Sequence, residues 1–372
     1  MKTTAAVAVG PHQPFELRHL ELDDLAPNEV RVALVATGVC HTDAVVRDQI
    51  YPTPLPAVLG HEGAGVVEAI GSAVTSVKPG DHVILTVNSC GQCRQCLTGT
   101  PTYCDNLYVL NFGGRRPDGT TALTEGGQEI SSSFFGQSSF ATHANVAERA
   151  LVKVDDDIPL KLAGPLGCGL MTGAGAVLNS LHPRAGSAIA IFGAGAVGSA
   201  AVLAALVAGC TTVIAVDIHQ SRLDLATELG ATHVVDSSKG SSVEAIMEIT
   251  SGRGADVALD ATGVPSVLRQ AADSLAICGT VGLVGAAAPG TEVSFETGLS
   301  ITRGWSLKMI IEGDSVPQDF IPRLVELWRQ GRFPFEKLVQ TYPFEQINDA
   351  FADSEAGKTV KPVLQFAQGV SA

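Results

Sequence analysis

The spacing of apolar and polar residues changes near residue 170. Before it, short apolar runs alternate with turn-forming residues, as where Lys78-Pro79-Gly80-Asp81 precedes a run at 82–87. Similar runs lie at 30–37 and 65–70. Short apolar runs bounded by glycine, proline and polar turns are typical of strands. We therefore predict a β-rich, barrel-like domain over about the first 165 residues.

Beyond Leu170, strand-length and helix-length segments alternate. The apolar runs predict six strands, at 189–192, 212–216, 233–236, 257–260, 280–284 and 306–310. Strands that alternate with helices form parallel sheets covered by helices on both faces. The fold class predicted for this part of the chain is therefore α/β, with a doubly wound parallel sheet.

The residues after Glu312 predict two helices, at 320–330 and 344–354, and a final strand at 360–366. We expect this tail to return to the β-rich domain. The predicted domains are thus 1–169 together with 310–372, and 170–309 inserted between them. A chain of 372 residues is long for a single core, which also favours two domains.

A glycine-rich turn, GAGAVG at 193–198, follows the first predicted strand of the parallel sheet. Gly193 allows the tight turn, Gly195 lets a pyrophosphate approach the backbone, and Gly198 lets the following helix pack closely on the strand. The free N–H groups and the positive dipole end of that helix favour phosphate. We predict a dinucleotide site here, with Val197 among its residues.

Asp217 closes the second strand of the predicted parallel sheet, about 20 residues after the glycine turn. At this distance a carboxylate can accept both ribose hydroxyls of a dinucleotide. A 2′-phosphate would meet a like charge, so Asp217 favours NAD. The nearby Arg222 weakens this preference, and we include it among the candidate cofactor-binding residues.

The net charge of −14 argues against nucleic acid and anionic membranes as partners. We find no stretch of transmembrane length that lacks a charge or a cluster of glycine and polar residues. The N-terminus is too short in apolar residues for an export signal, so cysteines that follow metal-site spacing predict a reducing compartment, the cytoplasm.

Half of the eight cysteines fall in one short segment, Cys90-x-x-Cys93-x-x-Cys96-x7-Cys104. Four thiolates can close a tetrahedral Zn²⁺ shell without an open position, as structural zinc sites do. A small iron–sulfur cluster is the rival interpretation. Four unrelated cysteines fit less well, because free cysteine prefers burial and this segment is polar. We predict a structural zinc.

Three further candidate ligands, Cys40, His61 and Cys168, are dispersed along the chain, each near a glycine. Two thiolates and one imidazole leave a fourth position for water or substrate, which a catalytic zinc needs. Spacing alone does not bring these three residues together. His61 on its own is equally compatible with a structural role, and Cys168 with a place in the core.

The chain resembles the zinc-dependent medium-chain alcohol dehydrogenases over essentially its whole length. The matching blocks are GVCHTD (38–43), GHEGAGVVEAIG (60–71), the 90–104 segment, GPLGCGLMTGAGA (164–176) and GAGAVG (193–198) with Asp217. Within the family it is most similar to the aryl-alcohol (benzyl alcohol) dehydrogenases. That likeness rests on RDQ (47–49), LPAVLGHEG (55–63), FGQSSFAT (135–142), GPLGCG (164–169) and LVELWRQGRFPFEKLV (324–339).

The resemblance implies a GroES-like β-rich catalytic domain carrying both zinc sites and a Rossmann domain binding NAD. It also implies two zinc ions per subunit. Cys40, His61 and Cys168 would hold the catalytic ion, and the 90–104 segment the structural one. Members of the family are homo-oligomers, so we expect a dimer or a tetramer.

Residues beside the candidate ligands suggest further roles. Thr42 would accept the alcohol proton, and Asp43 would hold the far ring nitrogen of His61. For both, the alternative is capping of a helix N-terminus. Glu62 is either a transient zinc ligand or an electrostatic neighbour. Many relatives have a histidine at the position of Val45, so the last group of the proton relay is unassigned here.

Other assignments follow from the resemblance alone. His41 is expected to face the cofactor pyrophosphate, and Thr172 is included with the cofactor-binding residues. Lys361 is similar to a basic residue that meets the cofactor phosphates; the alternative is surface solvation. Phe134 and Phe135 are candidates for lining a flat apolar substrate pocket, which ordinary core packing explains equally well.

The function that these residues favour is NAD-dependent, reversible oxidation of aromatic or allylic primary alcohols to aldehydes. The alternative within the enzyme class is an S-(hydroxymethyl)thiol (formaldehyde) dehydrogenase, for which Arg115 and Arg116 would attract an anionic thiol conjugate. A third hypothesis is a non-catalytic zinc protein of the same fold. The complete ligand set and Thr42 argue against it, because such a protein has no need of an open zinc position.

Overall fold

A computed structural model of the protein describes residues 1–367 of the 372. The chain divides into two compact units. The first contains Met1–Cys168, Val316–Val325 and the chain from Val339 onward; the second contains Gly169–Ser315 and Glu326–Leu338. The first division lies next to the predicted boundary at 169. The second differs from prediction, because residues 310–315 and 326–338 pack with the second unit.

The strands of the first unit up to the division at Cys168 are short. They are β1 (Lys2–Ala8), β2 (Glu16–Leu22), β3 (Glu29–Gly38), β4 (Ala57–Val58), β5 (Gly63–Ile70), β6 (His82–Leu85), β7 (Leu123–Glu125), β8 (Gln128–Ile130), β9 (His143–Ala147) and β10 (Leu151–Val154). The helices in the same stretch are α1 (His41–Arg47), α2 (Arg94–Leu97), α3 (Leu107–Phe112) and α4 (Leu160–Ala163).

The remaining elements follow in chain order. The strands are β11 (Ala188–Phe192), β12 (Thr212–Asp217), β13 (His233–Asp236), β14 (Ala255–Asp260), β15 (Leu275–Leu283), β16 (Ser306–Met309), β17 (Val339–Pro343) and β18 (Lys361–Gln365). The helices are α5 (Gly169–Gly175), α6 (Ala196–Val207), α7 (Gln220–Glu228), α8 (Ser242–Ile249), α9 (Pro265–Asp273), α10 (Thr297–Arg303), α11 (Pro317–Arg329) and α12 (Ile347–Glu355). Among residues 1–367, none of the helices has the length and apolar character needed to cross a bilayer.

Two sheets form the first unit. One has the strand order β4-β1-β2-β7-β8, and the other has the order β10-β6-β5-β3-β18-β17, with β9 also paired to β3. The tail returns here as predicted, because β18 pairs antiparallel with β3, Leu364 opposite Thr37. Strands β1–β10 confirm the β-rich character of the first 165 residues. This sheet holds the ends of β3 and β5, from which candidate ligands emerge.

The second unit is built on a parallel sheet with the strand order β13-β12-β11-β14-β15-β16. All of its strand pairings are parallel, which confirms the six predicted strands. Strand β15 begins at Leu275, earlier than predicted, and its register shifts before Thr280. Cys278 lies in this stretch with a φ of 61°, so the strand is irregular there. The sequence-based prediction covered only the regular part of the strand that follows.

The core of the parallel sheet is aliphatic, and its central strands are buried on both faces. Phe192 on β11, Ile214 on β12 and Ala258 on β14 pack with Leu268 on α9. Burial of this kind contributes about 25 cal/mol for each Å² of apolar surface removed from water. The core therefore holds the carboxyl ends of β11 and β12 rigidly, and these ends carry the glycine turn and Asp217.

The first prediction concerns Gly198, which lies on α6 above the glycine turn. A methyl carbon on Gly198 would lie 1.8 Å from the carbonyl oxygen of Gly193, so the helix would have to move off β11. We expect Gly198→Ala to lower the free energy of unfolding by about 1–3 kcal/mol, as overpacked cores do. Gly240→Ala is the matched control, because a methyl group there meets no atom within 4 Å. Equal denaturation midpoints for the two variants would contradict this account of the turn.

Candidate active site

The four cysteines of the 90–104 segment surround a single point in the first unit. Their sulfur atoms all lie within 4.8 Å of one another. Representative Sγ–Sγ distances are 3.9 Å for Cys90–Cys96, 3.5 Å for Cys93–Cys96 and 3.9 Å for Cys93–Cys104. A tetrahedron of sulfurs about 2.3 Å from one Zn²⁺ has edges of about 3.8 Å. The set therefore fits one ion better than an iron–sulfur cluster, whose cysteines bind different iron atoms.

Backbone N–H groups donate hydrogen bonds to the sulfur atoms of the 90–104 segment, which we call the cysteine lobe. Cys93 N donates to Cys90 Sγ at 3.3 Å, and Cys90 N donates to Cys104 Sγ at 3.3 Å. Hydrogen bonds from the backbone N–H groups of Gln92 and Cys93 lower the pKa of the Cys90 thiol to about 6. Since the thiolate is the metal-binding form, these donors favour the form that a structural zinc requires.

The dispersed candidates also come together in the first unit. Ligand atoms of Cys40, His61, Glu62 and Cys168 lie within 4.8 Å of one another. Cys40 is the residue before α1, just beyond β3, and His61 precedes β5. Cys168 follows the 3₁₀ turn Gly164–Gly167. The antiparallel pairing of β3 with β5 brings the first two segments side by side, and Gly38 N donates to Glu62 O at 2.9 Å.

Asp43 ties the Cys40 and His61 segments together. Its Oδ1 lies 2.9 Å from His61 Nδ1 and accepts the N–H of Gly60 at 3.1 Å, while its Oδ2 accepts the N–H of Cys40 at 3.1 Å. The expected contact with the far ring nitrogen is thus confirmed. The capping interaction at α1 is present as well, so Asp43 serves both purposes.

His61 points its other nitrogen at the thiols. Among residues 1–367, nothing forms a hydrogen bond with His61 Nε2, although the side chain is fully buried. A buried polar atom without a partner costs about 1–3 kcal/mol. A metal ion at this point would satisfy it, with Cys40 and Cys168 as the other ligands. The residues present therefore fit a zinc ion.

Glu62 and Lys361 form a buried ion pair beside the candidate ligands. Lys361 Nζ lies 2.9 Å from both carboxylate oxygens of Glu62 and donates to Val39 O at 3.1 Å. Burial raises the pKa of Glu62 to about 7, and Lys361 opposes that rise. In this arrangement Glu62 is an electrostatic neighbour of the thiols, and its role as a transient ligand stays a prediction.

The position of Lys361 excludes the alternative of surface solvation. The residue is 2 % exposed, so it is not a solvated surface lysine. An ammonium group has three N–H donors, and all three are used by Glu62 and Val39. The contact with cofactor phosphates stays a prediction, and the ion pair with Glu62 is the contact that the structure shows. Sequence patterns missed this because its partner Glu62 lies 299 residues away.

The other residues near Cys40 sit on α1. Thr42 is half-buried, with its Oγ1 3.7 Å from Cys40 Sγ, and it does not occupy the capping position, which belongs to Cys40. His41 is exposed at the first position of the helix. Val45 is buried and apolar, so this position offers no proton acceptor. Thr42 is thus the hydroxyl placed beside the ligand set by α1.

Two phenylalanines pack on the ring of His61. Phe135 stacks on it at 4.5 Å between ring centres, and Phe134 meets it edge-on at 5.5 Å. Phe112, at the end of α3, contacts both rings. The segment is strained, because Ser133, Phe135 and Ser138 have φ near +50 to +60°; such residues cost about 1–3 kcal/mol each. Sequence analysis missed Phe112, for which no local signal exists.

In the second unit the glycine turn has the conformation expected for a dinucleotide site. Gly193 has a φ of 88°, and its N–H donates to Val216 O at 2.8 Å. A methyl group on Gly195 would meet no atom within 4 Å, so the backbone there faces open space that a ligand can approach. Val197 O packs against Gly173 of α5, where a methyl group would lie 2.0 Å away.

Asp217 lies beside this turn and is largely engaged by the backbone. Its Oδ2 accepts the N–H of Ala194 at 2.7 Å, and its Oδ1 accepts those of Ile218 and His219. A carboxylate accepts about four hydrogen bonds, so this arrangement leaves room for about one ribose hydroxyl rather than two. Arg222 lies 3.7 Å from Asp217 Oδ2, so it pairs with the carboxylate.

Thr172 is the remaining predicted cofactor residue. It lies on α5, and its Oγ1 donates to Glu312 Oε2 at 3.1 Å. This contact explains a structural role for the hydroxyl within the second unit. A role toward a cofactor stays a prediction.

Comparison with known families matches both parts of the chain. Residues 26–156 match the alcohol dehydrogenase GroES-like domain, and residues 196–329 match the zinc-binding dehydrogenase domain. The chain is 46% identical to a geraniol dehydrogenase of Castellaniella defragrans over 340 residues, which are 91% of each protein.

Solved structures agree with these matches. The chain resembles an alcohol dehydrogenase zinc-binding domain protein from Burkholderia ambifaria, with 53% identity and a TM-score of 0.97 over 99% of this chain and 100% of the other. It resembles benzyl alcohol dehydrogenase from Acinetobacter calcoaceticus with 47% identity and a TM-score of 0.96, over 99% and 100% of the two chains. The GroES-like domain and the parallel Rossmann domain of the medium-chain dehydrogenases are therefore both present.

The ligand assignments can be tested by metal content. We expect the purified protein to hold about two zinc ions per chain and Cys40→Ser to hold about one, because three-ligand sites depend on each ligand. Cys210→Ser is the control, since Cys210 is a buried cysteine outside both sets. Zinc content by atomic emission, with circular dichroism to verify the fold, is the measurement. Full zinc in a folded Cys40→Ser variant would refute the assignment.

Proposed function

We propose a specific reaction for this chain, which belongs to the zinc-binding alcohol dehydrogenase family. The proposed reaction is reversible oxidation of aromatic or allylic primary alcohols to aldehydes with NAD. The supporting observation is the group of candidate ligands Cys40, His61 and Cys168, which we call the His61 centre. There, a buried imidazole nitrogen without a hydrogen bond to the described residues lies beside the thiols of Cys40 and Cys168, with the face of Phe135 against the ring.

The two groups implied by the family supply distinct chemistry when bound. Zn²⁺ provides Lewis acidity that lowers the pKa of an alcohol, and NAD provides the hydride acceptor. Cys40, His61 and Cys168 would hold the ion, while the turn at Gly193 and Gly195 would hold the dinucleotide phosphates. Two thiolates and a neutral imidazole balance the charge of the ion.

The protein's own residues then orient the site and move the proton. Asp43 fixes the ring of His61 so that Nε2 faces the thiols. Thr42 presents its hydroxyl beside Cys40 and accepts the proton from the alcohol oxygen. Because Val45 carries no titratable group, the proton passes from Thr42 to water or to another group.

The preference for an unsaturated alcohol is supported by the aromatic residues at His61. Phe134 and Phe135 present flat apolar surface next to the ligand set. Aromatic rings stack on or meet edge-on other π-systems with a gain of about 0.5–1.5 kcal/mol beyond area burial. Benzyl alcohol and geraniol, the alcohols in the names of two relatives, both carry a π-bond next to the alcohol carbon.

NAD rather than NADP is supported by Asp217. Its carboxylate accepts hydrogen bonds from three backbone N–H groups, which fix its oxygens in the place where a 2′-phosphate would lie. Arg222 is paired with this carboxylate rather than free. Arg222 therefore weakens the preference for NAD less than the sequence alone suggests.

The thiol-adduct alternative is less well supported. Arg116 is buried and paired with Glu29 and Asp23, and Arg115 is paired with Glu129. The two cations invoked for an anionic thiol conjugate are thus already neutralised. The hydroxymethyl adduct of glutathione is kept in the test as the substrate that this alternative predicts.

A cytoplasmic location stays a prediction. None of the eight cysteines of the sequence, all of which lie in the described residues 1–367, forms a disulfide. Thiolate ligands without disulfides are typical of a reducing compartment.

The substrate proposal is tested by NADH formation with benzyl alcohol, geraniol, cyclohexylmethanol, ethanol and the hydroxymethyl adduct of glutathione, with NADP in parallel. We expect kcat/KM for benzyl alcohol to exceed that for cyclohexylmethanol by about tenfold, since one π-contact is worth about 1.4 kcal/mol. Phe135→Leu should reduce this ratio. Leu206→Ala is the control, because Leu206 is exposed on α6.

The outcomes separate the three hypotheses. Equal turnover of the saturated alcohol would remove the aromatic preference, and better turnover of the glutathione adduct would favour the alternative. If no alcohol gives NADH formation with a protein that holds two zinc ions, the non-catalytic hypothesis would be favoured. Faster reduction of NADP would contradict the role given to Asp217.

We also propose a homo-oligomer, dimer or tetramer. Strand β16 is at the edge of the parallel sheet, and Ile277, Ile301 and Met309 of the second unit are largely exposed. An open strand edge next to exposed apolar residues is a common site of association. Sedimentation velocity should give a mass of two or four chains of 38.4 kDa. We expect Met309→Lys to shift the distribution toward smaller species; a wild-type protein of one chain would refute the proposal.

A further inference from the structure

We propose that Gln137 is a positioning residue that holds the ligand-bearing segments of the His61 centre in register. The inference rests on the zinc-binding role proposed above. Gln137 lies in the FGQSSFAT block, where it is a polar residue at 1 % exposure. It does not touch the reacting atoms, so it acts through the backbone of the residues that do.

The side-chain amide of Gln137 forms hydrogen bonds with the backbone of the residues on both sides of Glu62. Its Nε2 donates to the carbonyl oxygen of His61 at 3.0 Å, and its Oε1 accepts the N–H of Gly63 at 3.2 Å. The turn that presents His61 is therefore held by one side chain at the point where it enters β5. Any rotation of this turn would move the imidazole and break both bonds.

The same amide extends to the segment of Cys168. Gln137 Nε2 also donates to the carbonyl oxygen of Thr86 at 3.1 Å, and Thr86 Oγ1 donates to the carbonyl oxygen of Gly167 at 2.7 Å. Gly167 directly precedes Cys168. Gly167 also packs so closely on Leu85 that a methyl group would lie 1.8 Å from the Leu85 carbonyl oxygen.

The segment that carries Gln137 also fixes the ring of His61 from its face. Phe135, two residues earlier, stacks on the imidazole. The strained turn around it is held by Ser138, whose Oγ accepts the N–H of Phe134 at 3.0 Å and donates to Val58 O at 2.7 Å. One segment thus fixes His61 through its ring and through its backbone.

These contacts matter because the candidate ligands come from distant parts of the sequence. Asp43 joins the Cys40 and His61 segments, and a fixed set of three ligands also needs a connection to the segment of Cys168. Gln137 and Thr86 supply that connection. Without them, the carbonyl oxygens of His61, Thr86 and Gly167 lose these donors in a buried place, and the segment before Cys168 loses one of the contacts that fix its position.

Three variants and one control test the proposal. Gln137→Met keeps the length of the side chain and removes its hydrogen bonds. Thr86→Val removes the bond to Gly167, and Thr86→Ser restores it. Asn145→Leu is the matched control, because Asn145 is a buried amide that also bridges backbone carbonyls, those of Asp23 and Asp24, away from the ligands.

The readouts are the rate of zinc release to a chromogenic chelator and the visible spectrum after Co²⁺ replaces zinc. Wild-type protein should release zinc in two phases, and Cys40→Ser identifies the phase of the His61 centre by removing it. We expect Gln137→Met and Thr86→Val to speed that phase about tenfold, as loss of outer contacts to metal ligands does. Both should shift the Co²⁺ spectrum, and Thr86→Ser should resemble wild type.

Asn145→Leu should leave that phase and the spectrum unchanged even where its melting temperature falls as far as that of Gln137→Met. Equal release and spectra in Gln137→Met and wild type would overturn the inference, as would equal acceleration in Asn145→Leu. If Gln137→Met does not fold, the Thr86→Val and Thr86→Ser pair decides in the same way. Wild-type protein with a single release phase would instead overturn the proposed zinc centre itself.

Discussion

The candidate active site depends on one buried carboxylate. Asp43 is fully buried, which is costly for a charge unless it is paired and hydrogen-bonded. It meets that requirement by binding the N–H groups of Cys40 and Gly60 and the ring of His61 at once. The same contacts cap α1, orient the imidazole and place a thiol beside it. Capping of α1 and assembly of the site therefore depend on the same side chain, and loss of the carboxylate would leave several buried donors unsatisfied.

A buried ion pair of Glu62 and Lys361 also lies close to the candidate ligands. Glu62 lies among the candidate ligands, where a free anion would compete with the thiols for a cation. Lys361 neutralises it from β18, the strand by which the tail of the chain joins the sheet of β3. The last strand of the first unit thus contributes to the electrostatics of the site as well as to the sheet. Buried pairs of this kind stabilise little overall, but removal of one partner is strongly destabilising.

The candidate sites of the two units are formed by different parts of the chain. In the second unit the backbone forms the site: Gly193 adopts a positive φ, Gly195 faces open space and Gly198 lets α6 approach β11. In the first unit side chains form the site, and strained residues such as Phe135 are held by packing and hydrogen bonds from several segments. Strain of this kind persists only where the surroundings fix the conformation, which is typical of functional sites.

The sequence by itself determined whatever depends on neighbouring residues. The period of apolar residues predicted the six parallel strands, and the glycine turn followed from backbone freedom at three nearby positions. The cysteine lobe was predictable because its four ligands lie within fifteen residues, so short loops restrict where they can meet. Only the tertiary structure decided how Cys40, His61 and Cys168 meet, that Lys361 is buried against Glu62, and that Gln137 joins two ligand segments. These contacts join residues far apart in the chain, and sheet pairing and burial bring them together, which no local pattern encodes.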